Sequence, residues 1–313
     1  MSGNEAGNRF APSTPPLEGG SADLGLLLMA LIWGINFPLI KVALGEIPPL
    51  AFNALRFPLA SLTVVLIIGI RNEIRWPDRE DLPRIFLLGI VGNVFYQGFF
   101  IFGLNGTLAG NASILLATIP VWTLCLSTLR KHESPGVLVW VGILATLGGM
   151  VLVVAGGKLT LGLQEGTLLG DLLMVAAAMT WATYAVGSRN MVRKYGSLPV
   201  TAWTLWIGSA GLVALGLPEL LRTPLGGASV TAWVGVVYAG VAAVGLAYIL
   251  WNRGVRRIGS SRTAAYQNLV PVVALLVAWV WLGEKPTGLQ LAGAAVILAG
   301  VSLARLGQER ERG

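Results

Sequence analysis

The sequence predicts an all-α membrane protein in which ten transmembrane helices form two inverted five-helix repeats. Three observations carry that expectation: ten apolar runs long enough to cross a bilayer, basic residues gathered on one side of them, and self-similarity between the halves of the chain. Composition sets the class. Charged residues make up 12% of the 313 and hydrophobic ones 55%, against about 25% charged in an ordinary soluble domain. So few charges cannot cover a soluble surface of this size. Glycine is abundant, at 41 residues, and transmembrane helices carry more of it than soluble ones do. The lone cysteine, Cys125, excludes a disulfide scaffold, and the glycines show no collagen period.

A membrane-spanning helix needs about 20 mainly apolar residues. Runs of that kind occupy about 23–44, 49–70, 84–104, 108–129, 136–155, 167–188, 199–218, 231–252, 260–282 and 287–306. Residues 1–22, with Pro12, Pro15, Pro16, Gly19 and Gly20, read as a flexible tail, and 307–313 as a second one. The first apolar run is too long and too far along to be a cleaved signal peptide. With the N-terminus in the cytoplasm, 17 of the 22 basic residues fall on cytoplasmic segments and only Lys158, Arg222 and Lys285 on outer loops. That asymmetry is the positive-inside signature, and it places both termini in the cytoplasm. The net charge of +7 therefore reflects topology and contact with anionic lipid, not nucleic-acid binding.

The third observation is internal. At a shift of 151 residues, nine of the 30 positions from Pro120 to Gly149 repeat, among them Pro120 with Pro271, Glu133 with Glu284, Gly142 with Gly293 and Gly149 with Gly300. A shift of 148 aligns Asp23 with Asp171 and Trp33 with Trp181. Residues 23–155 and 167–306 are then two copies of a five-helix unit. An odd number of helices makes the copies face opposite ways. Inverted repeats are typical of secondary transporters, with the substrate site between them near the midplane.

Helix one reads Leu31-Ile32-Trp33-Gly34-Ile35-Asn36-Phe37-Pro38 and helix two Ala54-Leu55-Arg56-Phe57. Helices nine and ten carry Leu269-Val270-Pro271-Val272, Trp281-Leu282-Gly283-Glu284-Lys285-Pro286 and Gly293-Ala294-Ala295-Val296. Over residues 23–306 the chain resembles the EamA family of the drug/metabolite transporter superfamily. The resemblance implies a bacterial inner-membrane exporter of amino acids or related metabolites. It also implies a central cavity lined by helices one to four and six to nine, with five and ten at the periphery.

Polar groups within the hydrocarbon are costly and so mark candidate sites. Arg56 lies about seven residues, or roughly 10 Å, into helix two. It reads either as a partner for a substrate carboxylate or as a side chain that snorkels or pairs with Glu46. Lys41 is nearer the interface, where snorkelling is favoured. Trp33 and Asn36 share a face of helix one, and their repeat counterparts are Trp181 and Tyr184. Helix three offers Asn93, Tyr96 and Gln97. Helix eight offers Tyr248, Trp251 and Asn252, and helix nine Tyr266 and Gln267. These stripes suit stacking and hydrogen bonding of a small amphipathic solute; helix–helix bonding is their other reading. Pro120 and Pro271 are repeat-related and are candidate hinges for alternating access. Glycines in helices five and ten are expected to allow close packing.

No zinc-protease, phosphate-loop or nucleophile-elbow motif is present, and the one histidine, His132, lies in a loop. No enzyme, metal or cofactor is expected, and no acidic residue falls at mid-membrane to form a proton relay. The expected partners are a small-molecule substrate and the bilayer. The favoured substrates are amino acids, aromatic or large and apolar, carried by a weakly coupled or facilitative exporter. A drug or sugar-phosphate exporter is the alternative within transport. An intramembrane enzyme or a structural scaffold is the alternative outside it.

Overall fold

The computed structural model describes residues 19–71, 76–129, 136–161, 165–248, 250–251, 266–267 and 269–312. Among them there is helix and no strand. Seven stretches are long and apolar enough to cross a membrane: Leu24–Leu44, Pro49–Ile70, Arg79–Gly106, Ala109–Leu126, Val137–Gly156, Leu168–Tyr195 and Leu198–Arg222. Three shorter apolar stretches follow, Val230–Leu246, Leu269–Leu282 and Gly288–Ala304.

Helix α1 spans Gly19–Leu44, and α2 spans Pro49–Arg71. Pro49 suits the first turn of α2, where its missing N–H is not needed. The next stretch has three parts: α3 (Leu82–Gly89), a π-helical segment (Ile90–Phe95) and α4 (Tyr96–Gly106). Then come α5 (Ala109–Leu116) and α6 (Ile119–Leu129). They are separate because Pro120 has no N–H to donate back to the carbonyl of Leu116. Thr118 closes the break, its Oγ1 donating to the carbonyl of Leu115 at 2.6 Å and accepting from Trp122 Nε1 at 3.1 Å. Long helices α7 (Val137–Leu161), α8 (Glu165–Tyr195) and α9 (Ser197–Arg222) follow. A second π-helical segment, Tyr238–Leu246, continues α10 (Val230–Val237), and the chain closes with α11 (Leu269–Val277) and α12 (Gly288–Arg312).

Packing joins the first half of the chain to the second: α1 lies against α10 and α11, α2 against α9, α4 and α6 against α8, and α7 against α12. The α7–α12 contact is close enough for backbones to touch. A Cβ on Gly142 would sit 2.6 Å from the carbonyl oxygen of Gly300, and one on Gly149 would sit 2.8 Å from that of Gly293. Only glycine fits there, as in other tightly packed membrane helices.

The two ends of the bundle are tied by different chemistry. At one, the ammonium of Lys41 donates to the carbonyls of Leu104 (3.0 Å), Asn105 (2.9 Å) and Thr107. It caps the end of α4, where carbonyls lack helical partners. Glu284 accepts from the amides of Ala109 (3.2 Å) and Gly110 (3.4 Å) at the start of α5. Thr107 also donates its hydroxyl proton to Asp171. At the other end, Lys194 pairs with Asp78 and Asp81, each at 2.7 Å, and the Tyr195 hydroxyl donates to Asp81 at 2.6 Å. Lys194 and its hydrogen bond hold the Asp78 carboxyl below the usual carboxylate range. Lys41 thus does not snorkel: carbonyls of its own bundle are within reach. Nor does Glu46 pair with Arg56. It accepts instead from the amide and hydroxyl of Ser229, both at 2.6 Å, at the start of α10.

Candidate functional site

A cavity of about 360 Å³ lies between the halves, walled by α1, α2, α4, α5, α6, α8, the second π-helical segment and α11. Of the residues singled out from sequence, Trp33, Asn36, Arg56, Tyr96, Gln97, Trp181, Tyr248, Trp251 and Gln267 line it. Pro120 and Pro271 also face it. The volume is in the range of a small-molecule pocket.

Two aromatic groups form its walls. In one, Trp33 meets Tyr248 edge-on at 6.4 Å and Trp251 at 6.1 Å. The Trp33 Nε1 donates to the carbonyl of Ala243 at 2.8 Å, within the second π-helical segment. In the other, Tyr96 lies 4.8 Å from Trp181 and 6.0 Å from Phe100, which meets Phe37 edge-on at 5.9 Å. These separations are those of favourable aromatic pairs.

Arg56 is 3% exposed. Its Nε donates to Asn53 Oδ1 at 2.9 Å and its Nη2 to Gln97 Oε1. The guanidinium carbon lies 5.2 Å from the ring centres of Phe52 and Phe57 and 5.6 Å from that of Phe100, within cation–π range. Among the described residues the ion pairs involve Lys194 alone, so no carboxylate neutralises Arg56. Asn36 is a second polar group in the wall. It is buried, and its Oδ1 has no hydrogen-bond partner among the described residues. An orphaned buried acceptor is costly unless something else satisfies it.

Three of the chosen residues stand outside the lining, Tyr184 against Trp181 at 5.2 Å between ring centres. Asn93 donates to the carbonyl of Thr204 at 2.9 Å and packs on Gly208. Tyr184 shares a hydrogen bond with the Thr204 hydroxyl at 3.1 Å and lies on Gly92. Tyr266 packs beside the buried Leu26 and Met29. An α-helical period aligns Asn93 with Tyr96 and Gln97, but Asn93 belongs to the π-helical segment Ile90–Phe95. The wider π turn rotates it toward α9. Asn252 lies outside the described residues. The sequence reasoning passed over Phe37, Ala239, Ala243 and Val270, which also line the cavity. An apolar side chain carries no mark in the sequence that separates lining from packing. The signal available was Phe37, one residue past Asn36 and one turn beyond Trp33. Among the described residues no group of three or more His, Cys, Asp or Glu could hold a metal ion.

A multi-pass helical bundle enclosing an aromatic cavity with one buried cation has the form of a membrane transporter for a small molecule. The comparisons with known proteins place it more narrowly. The chain belongs to the EamA-like transporter family, matching it over residues 20–155 and again over 168–306. It is 31% identical to an uncharacterized transporter, YdfC, of Bacillus subtilis, across 88% of this chain and 87% of that one. It is 32% identical to a probable terminal-alkyne amino-acid exporter of Streptantibioticus cattleyicolor, across 91% and 95%. It is 30% identical to a probable amino-acid metabolite efflux pump of Salmonella typhimurium, across 88% and 91%. One crystal structure shares the fold at a TM-score of 0.65 and 24% identity, over 95% of this chain and 99% of the other. The chain is accordingly a transporter and not an enzyme, with membrane lipid and a small-molecule substrate as its partners.

Proposed function

We propose that this protein is an inner-membrane secondary exporter of small metabolites. Amino acids are the favoured class, with aromatic or large apolar side chains preferred. The observation that carries the reading is the cavity: a buried, unneutralised Arg56 beside two aromatic walls. Arg56 receives the substrate carboxylate and the walls receive the side chain. The names of two relatives, an amino-acid exporter and an amino-acid metabolite efflux pump, support the substrate class.

The architecture underlying this reading is ten helices in two inverted repeats, 23–155 and 167–306, with both termini in the cytoplasm. Seven long and three shorter apolar stretches are compatible with that count. So is the pairing of helices. The contact of α1 with α11 has its counterpart in that of α8 with α6, and the contact of α8 with the first π-helical segment in that of α1 with the second. Two of the three π-helical segments among the described residues begin at Ile90 and Tyr238, 148 residues apart, the shift that aligns Trp33 with Trp181; the third, Ala278–Leu282, follows α11. Alternating access then flexes the paired helices at Pro120 and Pro271, both on the cavity wall.

Counterflow by purified protein in liposomes, over a panel of labelled amino acids, tests the reading. Exchange of phenylalanine, tryptophan and leucine is expected, and of lysine is not. Exchange limited to sugar phosphates or cationic drugs would refute it.

A further inference from the structure

Accepting the cavity as the substrate site, we propose that the favoured cargo is a net monoanion. It is an apolar carboxylate whose nitrogen is acylated or replaced by a hydroxyl, carried in preference to the free zwitterionic amino acids that share the site. Arg56 is buried, and its partners are the neutral oxygens of Asn53 and Gln97 and three phenyl faces. A guanidinium has five N–H donors; these two hydrogen bonds use two of them. A desolvated cation so placed calls for one anion.

A zwitterion would bring a second cation, and nothing acidic is there to meet it. Of the 15 Asp and Glu of the sequence, 14 lie at or beyond the ends of the apolar runs, and the other, Asp171, lies one turn inside the sixth, off the cavity wall, where it accepts from the Thr107 hydroxyl. No lining residue is acidic among those described. Aromatic faces attract an ammonium, but the guanidinium in the same low-dielectric space repels it. What the wall does offer the nitrogen side of a substrate is Asn36 Oδ1. It is a neutral acceptor without a partner among the described residues, in a residue 9% exposed. A neutral acceptor is matched by an amide N–H or a hydroxyl. The cargo that satisfies both poles is an N-acyl amino acid or an α-hydroxy acid with an apolar side chain.

Export of such a cargo has its own driving force. A monoanion leaving a negative interior moves down the membrane potential, and 100 mV sustains about a 50-fold gradient. That no acidic residue is among the described lining residues, which removes the usual proton relay from the cavity, is then no handicap.

The test uses the full-length protein in liposomes carrying a valinomycin-clamped potassium potential. The probes are N-acetyl-L-phenylalanine, phenyllactate, L-phenylalanine and phenethylamine. Expected is kcat/KM about tenfold or more higher for the two anions than for phenylalanine, flux of the anions that follows the potential, and no transport of phenethylamine. Arg56→Lys should keep the order at reduced rate, and Arg56→Gln should erase it. A preference for phenylalanine, indifferent to the potential, overturns this proposal while leaving amino-acid export standing. If none of the four is bound or carried, the reading of the cavity falls with it.

Discussion

Lys41 and Arg56 are both cations drawn into the helical bundle, on α1 and α2, and they are satisfied by opposite means. Lys41 donates to three backbone carbonyls at the end of α4, so its donors are saturated by the fold. Arg56 meets two neutral side-chain oxygens and three aromatic rings and borders the cavity. One charge closes a helix end; the other borders the cavity and, in the proposed reading, is left to meet a substrate. The difference teaches where to look for function in a membrane protein: at the buried charge whose partners within the chain do not add up.

Substitutions can break that contrast or sharpen it. The largest effect is expected from Arg56→Ala, which should lower transport of a carboxylate substrate about 100-fold or more, since truncating one side of a buried charge pair costs about 2–5 kcal/mol. Liposome kinetics reads it, and the thermal midpoint should change little. Lys41→Ala should do the reverse. Loss of charged hydrogen bonds worth about 1.5–3 kcal/mol should lower Tm by about 5 °C and leave KM unaltered. If Lys41→Ala weakened substrate binding while Arg56→Ala only destabilised the fold, the contrast would be the wrong way round.

Glu284→Gln comes next. Burial holds the Glu284 carboxyl above the usual carboxylate range, against the pull of two amides and Lys41. A carboxyl with a raised folded pKa binds more protons folded than unfolded, so stability falls as pH rises through the window between the two values. Tm measured against pH should show that decline in the native protein and a flatter line in Glu284→Gln. The smallest effect belongs to the opposite end. Asp78 is an exposed partner of Lys194 with a lowered pKa. Its contribution is present above the ordinary carboxylate range and fades as pH falls through its folded value. Exposed pairs add little, and Asp78→Asn should move Tm within measurement scatter at neutral pH.

Much of this was legible beforehand, and the exceptions have a physical pattern. The helical class and the family follow from hydropathy and from stretches such as Trp33-Gly34-Ile35-Asn36 and Leu282-Gly283-Glu284, because both reside in local sequence. The facing of Trp33, Tyr96, Gln97 and Trp181 followed from α-helical period. Asn93 fails that logic because a π-helical turn precedes Tyr96, and hydropathy carries no mark of such a turn. Tyr184 fails it because Thr204, on another helix, supplies a hydroxyl within 3.1 Å. Lys41 was hardest to place: its acceptors are main-chain carbonyls more than 60 residues away, and main-chain carbonyls leave no trace in residue identity.

The glycine contact between α7 and α12 has a consequence for motion. Where Gly142 meets Gly300 and Gly149 meets Gly293, no layer of side chains separates the two backbones. Side chains are what allow neighbouring helices to slide by a fraction of a turn, by exchanging one rotamer for another. A seam without them behaves as a weld. The expected consequence is that α7 and α12 stay fixed to each other, as the frame against which the cavity helices move.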